Sequence, residues 1–202
     1  MPKPLPLKFN DPAPNLDLTA ANGQIISLSS LWQNKVLVLA FTRHFGCPQC
    51  KEMLDELVQL HPELIGKGLS LAVITQGTQE QTQAFCVERA PGILCLADPD
   101  RKAYSAYGLG KGSLRQTFLS TRVWRSNRNL KKTRGWKTEL PPQGQDSMLM
   151  PGTFVIGPDG RIRLPYYYED IADHPSVELL VQGIMGTDWQ KPLETPLDSN
   201  SD

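Results

Sequence analysis

Residues 36–60 read VLVLAFTRHFGCPQCKEMLDELVQL, and this stretch decides the fold. It opens with a continuous apolar run, Val36 to Phe41, which is typical of a strand covered on both faces of a sheet. The apolar residues after position 50 recur with helical spacing at Met53, Leu54, Leu57, Val58 and Leu60. The stretch therefore predicts a buried strand, a CPQC motif at the turn, and a helix that kinks or breaks near Pro62 and ends by Gly66 or Gly68.

The remaining pattern alternates strands with helices. Two further apolar strands are predicted at 69–75 and 93–97, with helices at 78–89 and 100–107 and a last helix from Pro175 or Ser176 to Met185. Turn signals at Asn22-Gly23 and at Gly157 to Gly160 predict two β-hairpins. A β-α-β-α-β succession needs parallel strands with right-handed crossovers. The fold class is therefore α/β, a central mixed sheet flanked by helices with an N-terminal β-hairpin extension.

The chain divides into an arm, a domain and a tail. Residues 1–14 are proline-rich and predict an extended arm, 15–186 form the domain, and 187–202 form a C-terminal tail. The domain carries a basic insertion at about 110–146. Between positions 110 and 138 this insertion holds nine basic residues and no acidic one: Lys111, Arg115, Arg122, Arg125, Arg128, Lys131, Lys132, Arg134 and Lys137.

Two interpretations of the insertion stay open. Leu114, Phe118 and Trp124 are candidate anchors for a short amphipathic helix. The insertion is then either a lid or docking surface for an anionic partner, such as a phosphate-bearing substrate or RNA, or a solvated loop. We favour the solvated loop, because blocks of like charge usually lie at the surface and are often mobile.

Composition limits the class of protein. The chain has 202 residues, of which 40% are hydrophobic, and 21 basic residues balance 21 acidic ones. That composition suits one globular domain and gives no electrostatic case for a nucleic-acid or membrane partner. No apolar run approaches the roughly 18 residues of a membrane-spanning helix. Met1 to Pro14 lacks the apolar core of a secretory signal, so we expect a cytoplasmic protein.

The four cysteines are Cys47, Cys50, Cys86 and Cys95. A reducing cytosol argues against a structural disulfide framework, and Cys86 and Cys95 fall in a predicted helix and strand where core thiols are common. The Cys47–Cys50 pair is redox-active or metal-binding. A zinc site would need all four cysteines at spacings unlike those of compact zinc ribbons, so we expect no metal and no cofactor. An inert motif is the remaining alternative.

The motif has the features of a thiol redox site. Pro48 is favoured at the first helical position, which makes Cys47 the N-cap, where unpaired N–H groups and the helix dipole stabilise a thiolate. Arg43 or His44 adds positive charge just upstream, and Gly46 leaves room for a partner.

Cys50 lies three residues after Cys47, on the same face of the first helical turn. Cys47 is thus the candidate nucleophile, attacking a disulfide or a peroxide. Cys50 is the resolving residue that leaves a Cys47–Cys50 disulfide, and an external reductant of thioredoxin or glutathione type then restores the dithiol.

This strand–CPxC–helix unit resembles the thioredoxin superfamily. The run from Met150 to Ile156, followed by Pro158-Asp159-Gly160, resembles the cis-proline loop and hairpin of that superfamily. The resemblance implies a thioredoxin-like fold. It also implies that Pro151 is cis and shapes the substrate groove, and that Met150 contacts the dithiol beside Gly46 and Pro48.

A narrower resemblance is to the alkyl hydroperoxide reductase/thiol-specific antioxidant branch. It rests on 12–18, on Asn22-Gly23, and on 28–31. Residues 41–50, FTRHFGCPQC, are similar to the peroxiredoxin-like proteins related to selenoprotein U and prostamide synthase, which carry an arginine and then Gly-Cys-x-x-Cys here. This resemblance implies antioxidant chemistry.

One departure from that branch shapes the functional expectation. Typical peroxiredoxins have Pro seven residues and Thr three residues before the peroxidatic cysteine, where this chain has Ala40 and His44. We therefore expect a thiol–disulfide oxidoreductase with weak peroxide reduction, compatible with a homodimer. The alternative is a redox-sensing binding module that docks a partner through residues 110–138.

Overall fold

The computed structural model describes residues 5–183 and Trp189. Within that part of the chain the strands are β1 Asp17–Ala20, β2 Ile25–Ser27, β3 Leu37–Phe41, β4 Ser70–Thr75, β5 Leu94–Ala97, β6 Gly152–Ile156 and β7 Ile162–Tyr167. The helices are α1 Ser29–Trp32, α2 Pro48–Gly66, α3 Gln79–Arg89, α4 Lys102–Ala106, α5 Thr121–Arg134 and α6 Val177–Gln182. A single π-helical turn spans Arg115–Leu119. The predicted end of the last helix at Met185 and the predicted tail lie outside the described residues, Trp189 apart.

The strands form one mixed sheet in the order β2-β1-β5-β4-β3-β6-β7. The three central strands β5, β4 and β3 are parallel, and the hairpins β1–β2 and β6–β7 add antiparallel edges. This arrangement confirms the predicted α/β, thioredoxin-like fold with its N-terminal hairpin. No helix among the described residues is long and apolar enough to cross a membrane.

Strand β3 organises the core because every one of its residues is buried. Alternate side chains of a strand point to opposite faces of the sheet. Val36, Val38 and Ala40 accordingly join the core layer that contains α2, while Leu37, Leu39 and Phe41 join the layer that contains the aromatic residues of and after α4. The apolar run at 36–41 thus contributes side chains to both layers of the core.

Helix α2 begins where the sequence predicts. Cys47 is its N-cap with extended backbone (φ −85°, ψ 115°), and Pro48 occupies the first helical position. The helix runs on through Pro62 and ends at Gly66, with Gly68 in the left-handed conformation at φ 76°. Pro62 therefore does not break the helix, whose buried face packs against β3 and β4.

The insertion is not the solvated loop that we favoured. Its predicted anchors Leu114, Phe118 and Trp124 are half or more exposed, whereas Val123 and Leu130 are buried. These two residues are seven apart and therefore share a helix face, which packs α5 against α2. The basic side chains of α5 remain mostly at the surface.

A disulfide joins Cys86 in α3 to Cys95 in β5, which corrects the prediction of two core thiols. Helix α3 leads directly into β5 and packs on it, so the two buried residues face each other with their Cα atoms 6.6 Å apart. The sequence argument relied on the redox state of a compartment and not on this geometry. With Cys86 and Cys95 bonded to each other, the four-cysteine zinc alternative is not assembled.

We predict that Cys95→Ala destabilises the chain. A disulfide between residues nine apart contributes about 2–3 kcal/mol by limiting the unfolded chain. The free energy of unfolding in urea, measured without reductant, should fall by about that amount. In strong reductant the unmodified chain should lose the same increment. A thiol titration that finds Cys86 and Cys95 free in the denatured, unreduced chain would contradict the assignment.

Candidate active site

Cys47 and Cys50 lie at the first turn of α2, and both are unbonded and buried. Cys47 is 0% exposed and Cys50 is 4% exposed. The turn that presents them is closed by the backbone: the Cys47 N–H donates to the His44 carbonyl at 3.1 Å, and the Lys51 N–H donates to the Cys47 carbonyl at 3.2 Å. The motif is therefore a dithiol in a rigid, dry setting.

Arg43 contacts both sulfurs. Its Nη1 donates to Cys47 Sγ at 3.3 Å, and its backbone N–H donates to Cys50 Sγ at 3.2 Å. The other guanidinium nitrogen, Nη2, donates to the Ser147 carbonyl. Because Arg43 is only 2% exposed, its charge acts on the sulfurs with little screening by water.

The two thiols ionise at different pH. Burial raises the pKa of Cys47, but hydrogen bonding with Cys50 and the charge of Arg43 outweigh burial and lower that pKa to about 6. Burial, its hydrogen bond with Cys47 and the charge on Cys47 all raise the pKa of Cys50. Cys47 is therefore the thiol that ionises more readily, while Cys50 keeps its proton to higher pH.

His44 adds no charge to the site. Burial, and then the charges of Arg43 and Lys51, lower its pKa to about 4, so the imidazole is neutral at pH 7. The Nδ1 atom of His44 is buried and has no hydrogen-bond partner among the described residues. Of the two candidate cations just upstream of Cys47, Arg43 is therefore the one that places a positive charge beside the Cys47 sulfur.

Residues 135–149, which we call the lid segment, cover the motif. The Glu139 N–H donates to the Gly46 carbonyl at 3.0 Å, and the Glu139 carboxylate pairs with Lys51 Nζ at 3.3 Å. The Gln145 side-chain oxygen accepts from the Phe45 N–H at 3.0 Å. The space beside Gly46, expected to admit a partner, is thus filled by the lid segment itself.

The far side of the lid segment is held by a second set of contacts. Gln76 and Asp146 exchange hydrogen bonds, with the Asp146 N–H donating at 2.6 Å and the Gln76 amide donating back at 2.9 Å. Arg101 donates to the Gly144 carbonyl. Lys111 pairs with the Asp146 carboxylate at 2.9 Å. The lid segment therefore joins Gln76, just after β4, to Lys111 at the start of the insertion.

Helix α5 also reaches the motif, through Gln49. The Gln49 Oε1 accepts from Cys47 Sγ at 3.5 Å, and its Nε2 donates to Asn127 Oδ1 at 2.7 Å and to Ser126 Oγ at 3.3 Å. The sequence analysis missed Gln49, whose only signal was its place inside the CPxC motif. It also missed Ser126 and Asn127, and it offered a lid as one interpretation of the insertion without favouring it, because the insertion carries no pattern that points to the dithiol.

A family model described as the AhpC/TSA family matches residues 9–164 of the chain. The chain belongs to the AhpC/TSA family. Peroxiredoxin-like 2C of Mus musculus is 24% identical over 173 residues, covering 83% of this chain and 76% of that protein. Prostamide/prostaglandin F synthase of Salmo salar is 39% identical over 57 residues, which cover 28% of each chain.

The fold comparison agrees. A peroxiredoxin-like protein from Aquifex aeolicus superposes with a TM-score of 0.62 at 15% identity, covering 89% of this chain and 86% of that one. The chain is therefore a peroxiredoxin-like member of the thioredoxin superfamily, as the resemblance implied. In this chain Ala40 and His44 lie seven and three residues before Cys47, and the lid segment covers that cysteine.

The loop before β6 differs from the expectation in one respect. The described residues contain no cis peptide bond, so the predicted cis conformation of Pro151 is wrong. Here the backbone pairs with the start of the insertion: the Met150 N–H donates to the Gly110 carbonyl at 2.9 Å, and Leu149 bridges to Lys111. Met150 and Pro151 line a cleft of about 250 Å³. Contact of Met150 with the dithiol stays a prediction.

We predict that Gly46→Ala loosens the lid segment. A Cβ at Gly46 would lie 2.6 Å from the Glu139 carbonyl oxygen, so that backbone must move. Overpacking of this kind costs about 1–3 kcal/mol. Cys47 should then react faster with iodoacetamide at fixed pH. The matched control is Gly66→Ala, where nothing lies within 4 Å of the new Cβ. Equal alkylation rates in the two variants would show that the lid segment does not shield Cys47.

Proposed function

We propose that this chain is a thiol–disulfide oxidoreductase that cycles a Cys47–Cys50 dithiol and disulfide. The observation that carries the proposal is that the buried Arg43 contacts both sulfurs, that of Cys47 through its guanidinium and that of Cys50 through its backbone N–H. It favours the thiolate at Cys47, while Cys50 keeps its proton until the second step. One nucleophile and one resolving thiol three residues apart are what disulfide exchange requires.

The cycle balances with one external reductant. The Cys47 thiolate attacks one sulfur of a substrate disulfide and expels the other as a thiolate, which takes the proton from Cys50. The Cys50 thiolate then attacks the Cys47 sulfur, expelling the second substrate sulfur as a thiolate and leaving the Cys47–Cys50 disulfide. Two electrons have passed to the substrate. Two thiol groups of a thioredoxin- or glutathione-type reductant return them.

Peroxide is the weaker substrate in this proposal. The Thr42 hydroxyl donates to the Ile74 carbonyl at 3.3 Å, and the position three residues before Cys47 holds a neutral histidine. Neither residue supplies the threonine hydroxyl typical of the family beside the nucleophile. Slow oxidation of Cys47 to a sulfenic acid, resolved by Cys50 with loss of water, would still give antioxidant activity. The cytoplasmic location expected from the sequence stays a prediction.

A stopped-flow comparison tests the proposal. The reduced chain is mixed with hydrogen peroxide in one arm and with a peptide disulfide in the other. We expect the disulfide to react faster, Cys47→Ser to fall to background, and Cys50→Ser to stop at a mixed disulfide visible by mass spectrometry. Rapid oxidation by peroxide alone would reverse the assignment. Equal rates in Cys47→Ser and the unmodified chain would remove the redox role of the motif.

A second candidate function is redox-dependent docking of an acidic protein surface. It is favoured by exposed apolar side chains on the same insertion as exposed basic ones: Leu114, Phe118, Leu119 and Trp124 are 50–73% exposed. Exposed aromatic residues next to arginine are typical of binding surfaces. Polyglutamate is a suitable probe, and it should bind the oxidised and reduced chains with different affinity and lose binding in the double variant Lys131→Glu, Lys132→Glu. Equal affinity for the two redox states would exclude this function.

A further inference from the structure

Gln49 is a buried amide between the nucleophile and the insertion. It is 1% exposed, so each of its polar atoms needs a partner. Its Oε1 faces Cys47 Sγ, and its Nε2 faces Asn127 Oδ1 and Ser126 Oγ. Every hydrogen-bonding group of this side chain is thus directed either at the reacting sulfur or at α5.

The orientation of this amide suits only one protonation state of Cys47. A thiol donates a hydrogen bond, so it pairs with the Oε1 atom of Gln49. A thiolate only accepts, so the same oxygen would face a negative sulfur and repel it. Rotation of the amide by half a turn exchanges Oε1 and Nε2, and Nε2 then donates to the thiolate.

The partners on α5 tolerate both orientations. The Ser126 hydroxyl donates or accepts equally well. Asn127 carries its own amide, which presents Oδ1 to Gln49 Nε2 in the observed state and would present its NH₂ group to Gln49 Oε1 after rotation. The hydrogen bond between the Gln49 and Asn127 side chains can therefore be made in both orientations.

We propose that Gln49 is a positioning residue whose amide rotates together with that of Asn127 when Cys47 loses its proton, so that α5 supports the nucleophile in both states. The inference rests on the proposed function, in which Cys47 reacts as a thiolate. Unlike Arg43, whose cation always favours the thiolate, the Gln49–Asn127 pair follows the state of the sulfur. It also gives the insertion a direct part in the chemistry.

The test has to leave unchanged the other charged and titratable groups around the Cys47 sulfur. Arg43 and Cys50 contact Cys47 directly, while His44, Lys51 and the lid carboxylates of Glu139 and Asp146 surround the motif. The informative variants therefore lie on α5. Asn127→Asp leaves an acceptor only, which holds Gln49 Nε2 toward α5 and keeps Oε1 facing Cys47. Asn129→Asp adds the same charge at an exposed position on the same helix and is the matched control.

The first readout is the pH profile of Cys47 alkylation in the full, reduced chain. Asn127→Asp should move the midpoint upward and lower the alkylation rate below that midpoint about tenfold, which corresponds to one pH unit. Asn127→Ala leaves Gln49 able to rotate and should change the rate much less, although it removes the same contact from α5. Asn129→Asp should leave the midpoint in place. If the alkylation midpoint shifts equally in Asn127→Asp and Asn129→Asp, the added negative charge alone explains the shift, and the proposal is overturned.

The second readout is the side-chain NH₂ resonances of Gln49 and Asn127 in a ¹⁵N-labelled sample. We expect both pairs of signals to titrate together, with the midpoint of Cys47 alkylation, and to become independent of pH in Cys47→Ser. Signals that do not change across that midpoint would overturn the rotation. An alkylation midpoint at the ordinary thiol value in the unmodified chain would instead count against the proposed function, so the two failures are distinguishable.

Discussion

The buried guanidinium of Arg43 is the interaction on which the site depends. A cation taken out of water costs several kcal/mol unless anions or dipoles compensate it, and within the described part of the chain the terminal nitrogens of Arg43 donate to the Cys47 sulfur and the Ser147 carbonyl. Its Nε atom has no partner among the described residues. The site therefore favours negative charge at Cys47. The lid segment is needed as well, because its Ser147 carbonyl is the other group that compensates the charge of Arg43. One residue thus couples the acidity of the nucleophile to closure of the site.

Closure restricts which substrates react directly. With Cys47 fully buried and the Glu139 backbone seated against Gly46, a protein disulfide reaches the sulfur only after the lid segment moves. The contacts that hold this segment are hydrogen bonds and surface ion pairs such as Lys51–Glu139, which individually contribute about 1 kcal/mol or less. Leu149, at the end of the segment, packs in the core layer of Leu37 and Leu39, so a lid that opens without disturbing the sheet moves only in the part before Leu149.

Sequence patterns predict those parts of the molecule whose structure is determined by residues adjacent in the chain. The apolar run of β3, the Pro48 helix start and the Gly157–Gly160 turn each follow from a few neighbouring residues, and the structure has all three. Outside the CPQC motif, the site depends on contacts between residues that lie far apart in the sequence. Gln49 meets Asn127 across 78 residues, and Arg43 meets Ser147 across 104. Nothing in the composition of the insertion marks Val123 and Leu130, rather than Trp124, as the residues that dock it.

Oxidation changes the electrostatics that hold the lid closed. In the proposed cycle, formation of the Cys47–Cys50 disulfide removes the thiolate, so Arg43 loses its anionic partner and keeps the Ser147 carbonyl. A buried cation without an anion is costly, and the least costly response is hydration of the guanidinium. The lid segment lies against the guanidinium through the Ser147 carbonyl, so displacement of this segment would admit water to Arg43. The reduced site would therefore close over its thiolate, and the oxidised site would open toward the external thiol that restores it.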